Sequence, residues 1–166
     1  LTKTKTIASG NTLQAQGGIV YKGIKDTPKK LKNDILNAGA GHCWEEAVEQ
    51  LCQYGPKLVK NFLIDTLQVP FDKEKETKEL KRATEAAHTS PRVLYRADKT
   101  GKSIQASALE YLKSLKNVKI LTNHMAIDLL TFSHHSTITT DIYKKPACFG
   151  AMVLNNNTGK VLSILS

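Results

Sequence analysis

The sequence predicts an α+β fold, with helices in its N-terminal half and an antiparallel β-meander in its C-terminal half. Two observations predict this arrangement. Apolar residues recur with the helical period of 3.6 residues between positions 28 and 115, and segments rich in aliphatic and β-branched residues follow from 118 to 165. With 166 residues and 40% apolar content, the chain is expected to form a single compact unit with its own core.

The first three helices are predicted from residues that start and stop helices. Thr27-Pro28 is typical of an N-cap followed by proline at the first helical position, and Gly39 ends that helix. A second helix follows Cys43 and is expected to end at Gly55-Pro56, where a third begins. The side chains expected inside are Leu31, Ile35 and Leu36 on the first helix, Val48, Leu51 and Cys52 on the second, and Leu58, Val59, Phe62 and Leu63 on the third.

Short strands and a fourth helix are predicted in the middle of the chain. Residues 19–21 and 93–95 combine β-branched, aliphatic and aromatic residues, which favours strands. Thr100-Gly101 opens a helix whose apolar residues recur every four positions or so. The lysine- and glutamate-rich segment 73–79 has no apolar period and is interpreted as an exposed loop.

The C-terminal part reads as strands joined by turns. Segments 118–121 and 125–132 are predicted strands, and residues 148–165 are predicted to form a hairpin around the turn-forming run Asn-Asn-Asn-Thr-Gly at 155–159. Such a sheet leaves an unpaired edge, which favours self-association.

Composition excludes several classes of function. The net charge of +9 comes from 24 Lys plus Arg residues spread along the chain, of which only three are Arg, so the charge is interpreted as a solvated surface rather than a specific nucleic-acid site. No apolar run is long enough to span a membrane. The three cysteines are odd in number and show no C-x-x-C spacing, so no disulfide framework is expected. The neighbouring residues His42-Cys43 and His134-His135 each lack a second, suitably spaced pair of metal ligands, so no metal site is expected. A reducing cytoplasm is the expected compartment.

Residues 11–18 are the candidate cofactor site. They read as an extended segment followed by a Gln-Gly-Gly turn, whose backbone N–H groups can press against a flat flavin ring and stabilise the negative charge that develops on it during hydride transfer. Gly17 and Gly18 carry no Cβ to hold the ring away, and they permit positive φ. The alternative is an ordinary turn before the strand that starts at Ile19.

Eight stretches of the chain occur in the same order as in one family. The segment Asn-Thr-Leu-Gln-Ala-Gln-Gly-Gly-Ile at 11–19 resembles the flavin loop of the succinate dehydrogenase, fumarate reductase and L-aspartate oxidase flavoproteins. The other matching stretches are 34–41, 55–56 with 69–72, 85–89 with 92–94, 96–102 and 150–155. The resemblance covers nearly the whole chain and is closest to the L-aspartate oxidase branch.

This resemblance implies the middle part of a Rossmann-like α/β FAD-binding domain spanning residues 1–166, with the dinucleotide fingerprint before it and the capping and helical domains after it. Asn11 stands where the respiratory members carry the histidine that binds flavin covalently, which implies noncovalent FAD. The implied cofactor-binding residues are Lys3, Asn11, Thr12, Leu13, Gln14, Ala15, Gln16, Gly17 and Gly18. Glu85 stands where the L-aspartate oxidases carry a glutamate near the substrate amino group, and it is the candidate substrate-orienting residue.

The chain departs from the family around this glutamate. Glycines are usual in the family where this chain has Ala86 and Ala87, and arginine is common where it has Thr84. Added Cβ atoms on a loop that approaches substrate are expected to tighten or close the substrate pocket. Without the resemblance, Glu85 would be interpreted as one more solvated acid.

The implied activity is oxidation of L-aspartate to iminoaspartate, with electrons passed to oxygen or fumarate. Iminoaspartate feeds quinolinate synthase in NAD biosynthesis, so coupling to that enzyme is a further expectation. The chain alone is expected to be inactive and to hold FAD poorly, because the pyrophosphate-binding helix lies outside it. Two alternatives stay open: a fumarate reductase-like flavoprotein with noncovalent FAD, and a noncatalytic basic binding protein.

Overall fold

The computed structural model describes residues 1–165 and divides the chain into two compact units. One unit is Gly10–Lys116, and the other combines Leu1–Ser9 with the described residues from Asn117 onward. The expectation of a single compact unit is therefore wrong. The reason is that the C-terminal strands hydrogen-bond into a sheet of their own, while residues 10–116 pack around two separate apolar clusters.

The unit Gly10–Lys116 is mainly helical, with one small sheet. Its elements in chain order are α1 (Asn11–Gln14), β1 (Ile19–Val20), α2 (Pro28–Gly39), α3 (Glu45–Leu58), a π-helix (Val59–Thr66), β2 (Val93–Leu94) and α4 (Thr100–Ser114). β1 and β2 pair antiparallel, with Ile19 opposite Leu94. The short strands and the helix that opens at Thr100 are thereby confirmed.

Helix α2 begins as its sequence predicts. The Thr27 side chain accepts a hydrogen bond from the Lys30 N–H at 3.2 Å, and Pro28 occupies the first turn, where its missing N–H costs nothing. The helix ends at Gly39, and Ala40 then takes the left-handed conformation that closes many helices.

Helix α3 does not stop at Gly55-Pro56, so both the predicted stop and the predicted new helix at Pro56 are wrong. The backbone passes through the proline and widens into the π-helix, where the Leu67 N–H bonds to the Phe62 carbonyl at 2.8 Å. Burial of Cys52 before the proline and Val59 after it stabilises the continuous helix against the loss of one hydrogen bond. Three side chains expected inside are exposed instead: Leu51, Leu58 and Phe62.

Two clusters form the core of this unit. The larger packs the small sheet against the π-helix and the segment after it, and its buried members are Tyr21, Val59, Leu67, Val69, Phe71 and Leu94. The smaller lies between α2 and α3 and consists of Leu31, Val48 and Cys52. The loop 73–79 is exposed, as predicted.

The second unit is built on a three-stranded antiparallel sheet in the order β3–β4–β5. Its strands are His124–Thr131, Cys148–Asn155 and Val161–Leu165, with α5 (Phe132–His135) and a 3₁₀-helix (Thr139–Tyr143) between the first two. The predicted hairpin is confirmed, since the Gly159 N–H closes its turn on the Asn155 carbonyl at 2.8 Å. The α+β class and the C-terminal meander are thus confirmed.

One predicted strand of this unit is wrong. Residues 118–121 form no strand, because their backbone finds only single contacts, such as the bond from the Thr2 N–H to the Leu121 carbonyl at 2.9 Å. Within residues 1–165, no helix is both long and apolar enough to cross a membrane.

Candidate functional site

The candidate cofactor loop, residues 11–18, begins with a helical turn and then opens. The Ala15 N–H closes helix α1 on the Thr12 carbonyl at 3.2 Å, and Gly10 precedes the helix with a φ of 119°. The extended segment expected before the Gln-Gly-Gly stretch is therefore wrong. Hydrogen bonding within four residues favours a compact turn here.

This loop sits directly on the first turn of α4. The Gly101 N–H donates to the Ala15 carbonyl at 3.0 Å. A Cβ added at Gly101 would lie 2.1 Å from the Thr12 carbonyl oxygen and 2.7 Å from the Ala15 Cβ, so only glycine permits this approach. The loop is thus positioned by close backbone packing.

The two glycines of the loop differ in what surrounds them. A Cβ at Gly18 would lie 2.1 Å from the Val93 side chain and 2.5 Å from the Leu94 carbonyl oxygen, so the missing Cβ of Gly18 makes room for β2. A Cβ at Gly17 would meet nothing within 4 Å, which leaves that side of the loop open to a ligand. Neither glycine uses the positive φ that it permits, since neither is among the described positive-φ residues.

The polar side chains of the loop are available for a ligand. Within residues 1–165, four exposed side chains of the loop make no hydrogen bond: Asn11, Thr12, Gln14 and Gln16. Leu13 is half-buried. An open glycine flanked by free amides and a hydroxyl fits a planar cofactor that carries several hydrogen-bonding atoms.

Lys3 lies in the other compact unit. Its side chain is exposed, and its backbone carbonyl accepts a hydrogen bond from the Asn156 side chain at 3.0 Å. That Lys3 shares a site with the cofactor loop stays a prediction.

Glu85 begins a tight turn, which the structure defines by the bond from the His88 N–H to the Glu85 carbonyl at 3.1 Å. Ala86 takes a φ of 46° in this turn. Positive φ at the first central residue is typical of a type II′ turn, in which glycine is favoured. The Glu85 side chain is exposed and makes no hydrogen bond or ion pair within residues 1–165. Its carboxylate is therefore free to meet a cation.

A buried ion-pair network lies behind this turn. Arg92 is fully buried, and its Nε and Nη2 donate to the two oxygens of Asp26 at 2.6 and 2.8 Å. Its Nη1 donates to Asp34 Oδ2 and to His88 Nδ1, the latter at 2.9 Å. Asp34 also accepts from the backbone N–H and the hydroxyl of Thr89. The network joins α2, β2 and the Glu85 turn.

The charges of this network are mutually stabilised. Hydrogen bonds from the Thr89 N–H and then from Arg92 lower the pKa of Asp34 from 3.8 to about 2, against the opposing effect of burial. Burial alone would raise the pKa of Asp26, but the hydrogen bonds from Arg92 and the Gly23 N–H together lower it below its usual value. Both carboxylates are therefore ionised at neutral pH and hold the guanidinium in a fixed orientation.

A second, more exposed pair supports α4. Asp72 accepts from the Ala97 N–H at 2.9 Å and from Arg96 Nη1 at 2.6 Å, and these bonds lower the pKa of Asp72. Arg96 N–H in turn donates to the Thr100 hydroxyl at the start of α4. Asp72 thereby helps to fix the end of α4 on which the cofactor loop rests.

Sequence reasoning missed Asp26, Asp34 and Arg92 as members of the site. A signal existed for Asp34, because it lies three residues after Leu31, on the helical face that carries this predicted core residue. An acid on an apolar face predicts a buried partner. Asp26 and Arg92 carry no comparable signal, since 66 residues separate them.

This chain is similar to known FAD-binding and L-aspartate oxidase sequences. The family described as FAD binding domain matches residues 1–165. The L-aspartate oxidase of Halobacterium salinarum is 40% identical over 130 residues, covering 78% of this chain and 25% of that protein. The chloroplastic L-aspartate oxidase of Oryza sativa is 31% identical over 157 residues, covering 94% of this chain and 23% of that protein. The L-aspartate oxidase of Vibrio cholerae is 33% identical over 162 residues, covering 95% of this chain and 29% of that protein.

Solved structures share the fold. The Mycobacterium smegmatis Sdh1 complex in the apo form matches with a TM-score of 0.81 at 18% identity, over 99% of this chain and 28% of that one. A quinol-fumarate reductase matches with a TM-score of 0.78 at 15% identity, over 98% of this chain and 26% of that one. The chain thus spans about a quarter of the length of the proteins it matches.

Proposed function

Because this chain belongs to the FAD-binding domain family, we propose that it is the middle part of an FAD-dependent L-aspartate oxidase. The observation that carries the proposal is similarity to L-aspartate oxidases over as much as 95% of the chain, a span that includes both the cofactor loop and the Glu85 turn. The proposed reaction is oxidation of L-aspartate to iminoaspartate.

The cofactor loop supplies contacts that suit noncovalent FAD. When bound, FAD would accept the hydride removed from the substrate Cα. Gly17 leaves one side of the loop open, and the amides of Asn11, Gln14 and Gln16 with the Thr12 hydroxyl offer donors and acceptors to the cofactor. An amide at position 11 cannot form the covalent link that a histidine makes.

Glu85 supplies the contact that selects an amino acid over a simple dicarboxylate. Its free carboxylate can form a charge-assisted hydrogen bond with the ammonium group of L-aspartate. Succinate has no ammonium group, so this contact discriminates between the two substrates.

The fate of the electrons and the product completes the proposal. Oxygen or fumarate accepts the electrons, and iminoaspartate passes to quinolinate synthase in NAD biosynthesis. The cytoplasm is the proposed compartment, and the three cysteines, which are all unpaired in the structure, support a reducing setting. The 166 residues alone are proposed to be inactive and to bind FAD poorly, because the chain covers about a quarter of its relatives.

The full-length parent tests the function directly. Anaerobic mixing with L-aspartate should bleach the flavin absorbance, succinate should bleach it far more slowly, and acid precipitation should release the FAD into the supernatant. Glu85→Gln should raise KM for L-aspartate about tenfold or more, the loss expected for a charged hydrogen bond, with unchanged FAD content. Faster reduction by succinate would favour the fumarate reductase-like alternative. Salt-sensitive nucleic-acid binding without flavin would favour the basic binding protein.

Self-association of the isolated chain is a separate part of the proposal. It is supported by β5, an edge strand of the described sheet whose apolar side chains Leu162, Ile164 and Leu165 are exposed. Light scattering on the isolated chain should show a mass above 18.3 kDa that rises with concentration. A constant monomer mass would contradict this part alone.

A further inference from the structure

We infer that Asp34 and Arg92 are positioning residues for Glu85, because they hydrogen-bond to the C-terminal end of the Glu85 turn while leaving the glutamate side chain free. The inference rests on the proposed function in one respect, namely that Glu85 contacts the substrate ammonium group. Neither Asp34 nor Arg92 needs to touch substrate for this role. Arg92 acts through His88, the last residue of the turn, and Asp34 acts through Thr89, which directly follows it.

The contacts to the turn are short and come from two sides. Asp34 Oδ2 accepts from the Thr89 N–H at 2.9 Å, and the Thr89 hydroxyl lies 3.0 Å from each carboxylate oxygen. Arg92 Nη1 lies 2.9 Å from His88 Nδ1. The C-terminal end of the turn is therefore held at two successive residues, while the Glu85 side chain at its other end makes no hydrogen bond or ion pair within residues 1–165.

The network that makes these contacts is itself rigid. Asp26 holds two of the guanidinium nitrogens, so Arg92 cannot rotate away from Asp34 and His88. Arginine has only donors, so His88 Nδ1 is the acceptor in this bond and the ring proton lies on Nε2. Arg92 is fully buried and Asp34 nearly so, which keeps water from competing for these bonds.

A rigid turn has a consequence for substrate selection. Charge-assisted contacts depend on placement to within a fraction of an ångström, and supporting residues set that placement. Loosening the turn should therefore weaken binding of an ammonium-bearing substrate. The binding of a dicarboxylate without an ammonium group should change little.

Thr89 offers a matched pair of variants for the full-length parent. Thr89→Val keeps the size of the side chain and removes the hydroxyl bond to Asp34, whereas Thr89→Ser keeps the bond. Thr89→Val should raise KM for L-aspartate about tenfold, with unchanged FAD content and less than about a twofold change in the inhibition constant of succinate. Thr89→Ser should restore KM to within about twofold of the wild type.

A stability control separates positioning from a general loss of structure. Thr27→Ala removes the N-cap of α2, which lowers stability without touching the turn. The inference requires KM to stay unchanged in this variant. The inference is overturned if Thr27→Ala raises KM for L-aspartate as Thr89→Val does. It is also overturned if Thr89→Val weakens the binding of succinate and of L-aspartate equally.

Failure of the proposed function gives a different result. A wild-type parent that does not oxidise L-aspartate removes the proposed function, whatever the variants do. Hydrogen exchange at the amides of residues 85–89 then decides whether the network holds the turn. Exchange should be about tenfold faster in Thr89→Val than in Thr89→Ser, and equal rates would overturn the inference.

Discussion

The cofactor loop and the Glu85 turn are held in place by different physical means. The loop rests on α4 and β2 through close backbone approach, which depends on the absence of side chains at Gly101 and Gly18. The turn rests on a buried ion-pair network centred on Arg92. The loop should therefore be sensitive to added volume, and the turn to lost charge and to acid.

The largest effect is expected from removing the central charge of the network. Arg92→Met leaves the carboxylates of Asp26 and Asp34 buried without a counter-charge, which should lower the free energy of unfolding by about 3–5 kcal/mol. Urea denaturation measures this loss. The matched control is Arg96→Met, which removes a half-exposed pair and should cost less than about 1 kcal/mol. Equal losses in the two variants would contradict the central role of Arg92.

The next effect comes from adding one methyl group under the cofactor loop. Gly101→Ala forces the new Cβ against the Thr12 carbonyl and should lower the free energy of unfolding by about 1–3 kcal/mol, and it should weaken FAD binding to the parent. Gly17→Ala is the control, because its Cβ meets no atom within 4 Å, so the free energy of unfolding should not fall and should rise by up to about 1 kcal/mol through the reduced freedom of the unfolded chain. If FAD packs on the open side of the loop, Gly17→Ala weakens FAD binding without loss of stability. Unchanged FAD affinity there would place the cofactor elsewhere.

Acid should act on the turn more than on the loop. The pKa of Asp34 is about 2 in the folded protein and 3.8 for a free side chain. A lowered folded pKa contributes stability that is fully present above pH 3.8 and is lost as the pH falls towards 2. Denaturation midpoints measured across this window should fall more steeply for the wild type than for Asp34→Asn. Parallel curves would show that Asp34 does not carry this stability.

The smallest effect concerns Ala86. Its φ of 46° strains any residue with a Cβ, so Ala86→Gly should raise the free energy of unfolding by up to about 1 kcal/mol, after allowance for the greater freedom of glycine in the unfolded chain. Ala87→Gly is the matched control, since Ala87 is not among the described positive-φ residues and only the entropic cost applies. A loss of stability in Ala86→Gly equal to that in Ala87→Gly would mean that the turn carries no strain.

Much of the fold was predictable because its signals are local. The Thr27-Pro28 start of α2 and the turn at 155–159 depend on neighbouring residues, and both are confirmed. The stop at Gly55-Pro56 failed because burial of Cys52 and Val59 on either side of the proline stabilises the helix more than one missing hydrogen bond weakens it. The effect of proline on the backbone depends on neighbouring residues, whereas the burial of Cys52 and Val59 depends on residues distant in the sequence.

The candidate site divides in the same way. The roles of residues 11–18 and of Glu85 were inferred from the family resemblance. The two alanines after Glu85 marked a departure from the family, and the first of them, Ala86, has a positive φ. The roles of the glycines were not predictable. Gly18 accommodates β2 and Gly17 faces open space, a difference that depends on the strand at 93–94, far away in the sequence.

The sequence by itself determined the helical half and the C-terminal meander, because each depends on spacing or on residue chemistry within short segments. The candidate cofactor loop and the glutamate proposed to meet substrate came from the family resemblance. Only the tertiary structure decided that Asp26, Asp34 and Arg92 meet behind the Glu85 turn. Burial made that meeting necessary, since a buried guanidinium is stable only where the fold brings carboxylates to it.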